Sequence, residues 1–252
     1  MHDDALVRRW FDTRRGELTA HAADWLGRTV EALTHAQGQA DSMQQASRLF
    51  HAQITLSRVA RALPARLVQR LEQDVLKRLP GGGATARAAV LRLEDAGLVD
   101  DDVVLETIEI SRLVETIQTG AEWELREAEA SLSQALGRTV LGLRGSPLHP
   151  EVLVRAVWLV MEEVQLSTEE RVACLRATAA LVAELARAVY TCARDFLGEA
   201  DLSGQAVFHQ VGDSRSQGLP PVDVFPHHGA DTQPAPMRAA MKCTRPPVAC
   251  SS

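Results

Sequence analysis

The sequence predicts an all-α protein made of long amphipathic helices, with a helical hairpin followed by a helical bundle. Apolar residues recur at helical spacing almost as far as Leu202, and no useful length of chain alternates as a strand would. Alanine and leucine, both strong helix formers, supply the apolar surface, while aromatic residues make up only 4% of the chain. The tail at 203–252 mixes Gly, Pro, Ser, Gln and His without periodicity. We therefore expect this tail to be disordered, because it cannot bury enough apolar surface to offset its ordering entropy.

The first predicted unit, at 1–80, is the hairpin. Its first helix, at 4–36, places one apolar stripe at steps of three, four and seven: Val7, Phe11, Leu18, Ala22, Trp25 and Leu33. The second helix, at 43–79, begins at a cap supplied by Asp41 or Ser42. Pro64 lies inside it and predicts a kink or break near Leu63, because proline removes one helical hydrogen bond. Its apolar residues are Leu49, Phe50, Ile54, Val59, Leu63, Leu67, Leu71 and Val75.

A glycine-rich linker at 81–91 is predicted to separate the hairpin from the bundle at 92–202. The first bundle helix begins near Asp101, where neighbouring carboxylates can cap free N–H groups and meet the positive end of the helix dipole. Gly120 is a candidate interruption. The predicted inner-face residues are Val103, Ile110, Leu113, Val114 and Ile117, followed by Leu125, Ala128, Leu132, Leu136 and Val140.

Two strong helix starts follow the loop at 142–150. Pro150 stands at the first position of a helix that ends near Gln165. Ser167 and Glu170 form a capping-box sequence that opens the next helix. Its apolar stripe is predicted to continue in one helix to a stop at Gly198. Cys174 and Cys192 would then lie about 27 Å apart along that helix, too far to form a disulfide.

Charge and hydropathy restrict the class of protein. The net charge of −6 argues against a general polyanion binder, since phosphate contacts supply most non-specific nucleic-acid affinity. The chain begins with an acidic segment instead of a basic signal peptide, and no run approaches the roughly 20 apolar residues of a membrane helix. With four cysteines that show no disulfide framework, these features predict a cytoplasmic protein without a membrane partner.

Several segments, in this order and spacing, resemble a proteobacterial family known as domain of unknown function 1631. They are residues 97–106 (GLVDDDVVLE), 110–114 (ISRLV) and 146–150 (SPLHP), and a later helix through Arg171, Leu175, Leu185 and Tyr190. The likeness covers roughly 92–197, with a weaker helical likeness before the glycines. It implies an all-helical cytoplasmic bacterial protein and brings no functional residues. Family members are usually longer, and the family's segment after Tyr190 is replaced here by the tail, so we expect a truncated or frameshifted member.

Three clusters contain groups that could do chemistry, but each has a plainer interpretation. The glycines at 81–83 follow a helix and lack the Gly-Lys-Ser/Thr of a phosphate loop, so they indicate a linker. Asp100, Asp101 and Asp102 enter a helix at once, which favours capping over a Ca²⁺ loop. The tail contains four metal-capable side chains without zinc-site spacing, namely His227, His228, Cys243 and Cys250. We therefore predict no cofactor, no metal site and no catalytic residue.

Two surfaces remain as interaction candidates. The second helix has a basic face formed by Arg58, Arg61, Arg66, Arg70, Lys77 and Arg78. It lacks interleaved aromatic residues for base stacking, which makes nucleic acid the weaker partner. The acidic run at 100–102 is either a solvated face or a surface that a basic partner contacts.

The function predicted from the sequence is a non-catalytic protein-interaction or regulatory module that binds a protein partner or a second copy. One alternative is a nucleic-acid-associated protein that uses the arginine face. The other is an enzyme of nucleoside metabolism, which depends only on a thymidine phosphorylase label carried by some family members. No small-molecule substrate is identified.

Overall fold

The computed structural model describes residues 2–79, 101–137 and 145–213, with the backbone alone at His2 and at 200–213. These residues form helices and connecting turns, without a strand. The eight helices are α1 (His2–Gly38), α2 (Met43–Arg58), α3 (Leu63–Arg78), α4 (Asp101–Gly120), α5 (Glu122–Ala135), α6 (Pro150–Glu163), α7 (Thr168–Ala177) and α8 (Ala179–Asp213). The all-α prediction is therefore confirmed for the described part of the chain.

The hairpin forms as its apolar periodicity predicts. All six residues predicted for the α1 stripe are buried. Ser42 begins α2, since its Oγ accepts a hydrogen bond from the Gln45 N–H over 3.1 Å. Both α2 and α3 pack along α1, so one long helix supports two shorter ones.

The predicted break in the second helix lies at residues 59–62. Pro64 falls in the first turn of α3, where its missing N–H would have had no helical partner. The hydrogen bond from Leu63 N–H to the Val59 carbonyl closes the turn over 3.0 Å. Leu63 and Pro64 themselves are buried, so the break brings the start of α3 into the core.

Gly120 ends α4 at a point where another helix approaches it closely. A Cβ atom at this position would lie 3.2 Å from the Cβ of Ala183 on α8. Arg187 of α8 also donates a hydrogen bond to the Gly120 carbonyl, which lacks a helical partner at this end. The predicted interruption at Gly120 is confirmed, and helix contact explains the need for a glycine.

The remaining helix starts are also as predicted. Pro150 opens α6, and the Nδ1 atom of His149 caps it by accepting from the Glu151 N–H over 3.3 Å. In the capping box of α7, Ser167 Oγ accepts from the Glu170 N–H, and the Glu170 carboxylate accepts from the Ser167 N–H over 2.8 Å.

The prediction of one continuous helix from Ser167 to Gly198 was wrong at two points. Thr178 separates α7 from α8, so Cys174 and Cys192 lie in different helices; both are free thiols. The apolar stripe continues through the buried Val182 and Ala186, which is why periodicity alone misses the break. The helix then passes Gly198 and ends at Asp213, because a single glycine costs only about 1 kcal/mol in a helix.

The described residues as far as Gln210 belong to one compact unit. The hairpin packs on the bundle, since α3 contacts α6, and α1 and α2 both contact α7. Helix α4 packs on α6 and α7. The core holds Phe11, Leu113, Trp158 and Tyr190 among its largest fully buried side chains. None of the described helices is long and apolar enough to span a bilayer. The predicted linker at 81–91 and the tail beyond Asp213 lie outside the described residues.

Candidate interaction surfaces

The first half of α4 exposes apolar side chains to solvent. Val103, Val104 and Ile108 are 53%, 41% and 54% exposed. At about 100° per residue, Asp101, Val104 and Ile108 fall on one side of the helix at spacings of three and four. We call these three residues the α4 line. Val103 was predicted to face the core, and this was wrong: the buried face of α4 begins at Glu109 and Ile110.

The outer side of α2 carries a second exposed apolar surface. Met43 is 87% exposed and Phe50 is 53% exposed, while Ile54 is partly buried. These residues and Arg58 are separated by seven, four and four positions, so they share one side of the helix. We call Phe50, Ile54 and Arg58, with Met43 beyond them, the α2 stripe. Phe50 was predicted only as one of the apolar residues of this helix, and the inner side of α2 is buried by Leu49, Ala52 and Leu56.

The predicted arginine face divides into a free part and a paired part. Arg58, Arg61 and Arg66 are exposed around the turn between α2 and α3, and no carboxylate pairs with them in the described residues. We call these three the basic corner. The other members have partners: Arg70 lies 3.4 Å from Asp74, Lys77 lies 2.7 Å from Asp74, and Arg78 binds Glu151 over 2.8 Å. The free positive charge is therefore confined to a short turn instead of following a helix.

The predicted acidic run is only partly described. Asp100 lies outside the described residues. Asp101 and Asp102 occupy the first turn of α4, and both side chains are exposed. Carboxylates there stabilise the positive end of the helix dipole, as predicted. Asp101 also forms the charged end of the α4 line.

An open groove of about 650 Å³ lies where α2, α4 and α7 meet the end of α1. Arg48 of α2 pairs with Glu169 of α7 at the groove, and Arg176 of α7 pairs with the buried Glu109 over 3.0 Å. Each charged side chain in the lining thus has a partner within the protein. The apolar part of the lining includes Leu49, Leu105, Val172 and Ala173. Leu105 places the groove next to the α4 line.

Among the described residues, the two buried cysteines are poorly suited to act as nucleophiles. Burial raises the pKa of Cys174 to about 12 and that of Cys192 to about 11, which disfavours the thiolate that a nucleophile requires. Burial likewise raises the pKa of Tyr190 and of Glu129. Within the described ranges, no three His, Cys, Asp or Glu side chains are placed to hold a metal ion.

Arg171 is a buried cation whose guanidinium group is stabilised by neighbouring side chains. Its guanidinium carbon lies 4.4 Å from the centre of the Trp158 ring, and it donates to Thr168 Oγ1 over 3.1 Å. Its Nη1 also lies 3.1 Å from a carboxylate oxygen of Glu162. Stacking, a hydroxyl and a carboxylate together stabilise the charge inside the bundle. Sequence spacing does not indicate this contact, because Trp158 and Arg171 are on different helices.

The charged ends of these surfaces are predictable from the sequence, but their apolar parts were not predicted. Arg58, Arg61, Arg66, Asp101 and Asp102 were all candidates, whereas Phe50, Val104 and Ile108 were not. A usable signal for Val104 was its place beside Val103 in the first turn. Both cannot face the same core, because consecutive helical side chains point about 100° apart.

The comparisons with known proteins identify a family without a described activity. The family model described as the N-terminal domain of a protein of unknown function, DUF1631, matches residues 2–201. No curated protein and no solved structure matches the chain. The match extends the likeness noted for the bundle to the whole hairpin, and it covers every described helix as far as 201. The chain therefore belongs to the DUF1631 family, through its N-terminal domain.

Proposed function

We propose that this domain is a non-catalytic protein-interaction module, and that the α4 line is central to its docking surface. The observation that carries the proposal is the exposure of Val104 and Ile108 on a helix whose opposite side is firmly packed in the core. Exposing large apolar side chains in a row is unfavourable in water unless another surface covers them.

The support of α4 favours a fixed docking surface. Ile110, Leu113 and Ile117 are buried on its inner side, and Glu109 links it to α7 through Arg176. A helix held in this way presents its outer residues without a large ordering cost on binding. The first turn adds the negative charge of Asp101 at the edge of the apolar row, which resembles the polar rim of a protein interface.

The size of the native complex tests this proposal. In lysate of cells that naturally make the protein, size-exclusion chromatography with immunodetection should place the wild type above the position of one chain. Val104→Asp with Ile108→Asp should shift it to the position of one chain, because two charges would be buried in the interface without partners. The control is Trp123→Asp, which changes a large apolar residue of α5 that is 69% exposed. A wild type that elutes as one chain, or a double variant that elutes with the wild type, would reject the proposal.

A further inference from the structure

The α4 line and the α2 stripe are complementary in both length and charge. From Asp101 to Ile108 the α4 line spans about 10 Å, and from Phe50 to Arg58 the α2 stripe spans about 12 Å, at 1.5 Å per residue. Each has apolar side chains along its length and a charged residue at one end. The charge is negative at the N-terminus of α4 and positive at the C-terminus of α2.

We propose that the α2 stripe of one copy of this chain docks on the α4 line of a second copy. In this arrangement Arg58 lies against Asp101, and Ile54 and Phe50 lie against Val104 and Ile108. The two helices then run antiparallel, because the paired charges are at opposite helix ends. This inference depends on the proposed interaction function and names its partner.

The basic corner adds to the match. Arg61 and Arg66 extend the positive charge beyond Arg58, and the first turn of α3 contains no acidic residue to offset it. The basic corner is complementary to a surface with a negative charge beside an apolar row. The α4 line has this pattern.

A second copy fits the charges better than nucleic acid does. Within the predicted arginine face, the arginines without a carboxylate partner in the described part of the chain are Arg58, Arg61 and Arg66, and they adjoin apolar residues of α2 instead of a long basic groove. The chain also carries a net charge of −6, which opposes a polyanion at long range. The same net charge makes two copies repel at a distance, so the salt dependence of their association is not a clean readout. Reversing the charges of the proposed contact tests the pairing more directly than a change of salt concentration.

The experiment is sedimentation velocity on the purified full chain across a wide range of concentration. The wild type should associate reversibly, as a closed dimer if both surfaces engage reciprocally or as a growing assembly if they do not. The corner variant, Arg58→Glu with Arg61→Glu, and the acid variant, Asp101→Arg, should each weaken self-association by about tenfold or more. A mixture of the two variants should recover association, since the reversed charges then face each other. Arg126→Glu, on the exposed face of α5, is the matched control and should associate like the wild type.

The outcomes separate this inference from the broader proposal. A wild type that remains monomeric at all concentrations, or a mixture of variants that does not recover, would overturn self-docking. If the lysate complex still depended on Val104 and Ile108, the interaction function would stand with a different protein as partner. If neither experiment showed association, both proposals would fall. Circular dichroism of each variant confirms that a loss of association is not a loss of folding.

Discussion

Glu109 of α4 and Arg176 of α7 are joined by a hydrogen bond of 3.0 Å, although the Glu109 side chain is only 1% exposed. The same carboxylate accepts from Arg112 Nε over 2.8 Å. Two guanidinium groups therefore stabilise one carboxylate that water barely reaches. This contact fastens α4 to α7 at the residue that follows Ile108, so it bears on the stability of the proposed docking surface.

Removing the arginines should be much more harmful than removing the carboxylate. Arg112→Met with Arg176→Met should lower the free energy of unfolding by about 3 kcal/mol, because it leaves a buried carboxylate unpaired. Glu109→Met should change it by less than about 1 kcal/mol, since both arginines are partly exposed and regain water. Urea unfolding of the three proteins at neutral pH measures the difference. A Glu109→Met variant less stable than the double arginine variant would refute the argument.

The capping box at the start of α7 should contribute measurable stability. Ser167→Ala removes the acceptor for the Glu170 N–H and should cost about 1 kcal/mol. Ser167→Asp should retain most of this stability, because a carboxylate also caps a helix and suits the dipole. The control is Thr34→Ala, which removes an exposed hydroxyl from within α1 that caps no helix. Thermal unfolding compares them, and equal losses for Ser167→Ala and Ser167→Asp would contradict the capping role.

The stability contributed by Glu151 should depend on pH. Burial alone would raise the pKa of this carboxyl, but hydrogen bonds from Arg78 and Arg155 outweigh burial and lower the pKa from 4.5 to about 2. Because the pKa is lower in the folded state, the contribution is complete above the unfolded value and is lost as the pH falls toward 2. The difference in unfolding free energy between wild type and Glu151→Gln should therefore be constant above about pH 5 and shrink below it. Urea titrations at several pH values measure it. A difference that persists unchanged to about pH 3 would show that the carboxylate charge is not responsible.

Leu175 should be intolerant of charge. Its side chain is fully buried in α7. Leu175→Asp would place an unpaired carboxylate in the core and should cost several kcal/mol. Ala180→Asp, at an exposed position in the first turn of α8, should change the unfolding free energy by less than about 0.5 kcal/mol. Guanidinium unfolding followed by circular dichroism gives both values, and similar stabilities would mean that Leu175 is not packed in the core as described.

The sequence predicts local features of this fold well, because periodicity and caps are local. The α1 stripe, the Ser167 cap and the break before Pro64 each depend on residues within a few positions of one another. The break at Thr178 escaped prediction because the apolar pattern continues across it. The ion pair of Glu109 with Arg176 joins residues far apart in the chain, and nothing in their spacing indicates it. The exposure of a side chain is also hard to predict from local sequence. Whether Phe50 and Val103 are covered depends on which helix packs beside them.

The charged and the apolar parts of the proposed docking surface differ in how far the sequence predicts them. The charged ends, Arg58 and Asp101, can be read from composition and helix ends. The apolar rows emerge only once the packed sides of α2 and α4 are known. Consecutive apolar residues such as Val103 and Val104 cannot share one face of a helix. A run of them at a helix start therefore indicates that at least one is exposed.

Site-specific photo-crosslinking in cells tests the interaction function most directly. A benzophenone amino acid in place of Ile108 reports proteins that cover the α4 line, and the same amino acid in place of Trp123 is the control on α5. If the α4 line is a docking surface, we expect a discrete crosslinked product of higher mass at position 108 and none at position 123. No product at position 108, or the same product at both positions, would contradict the claim that the α4 line is a docking surface.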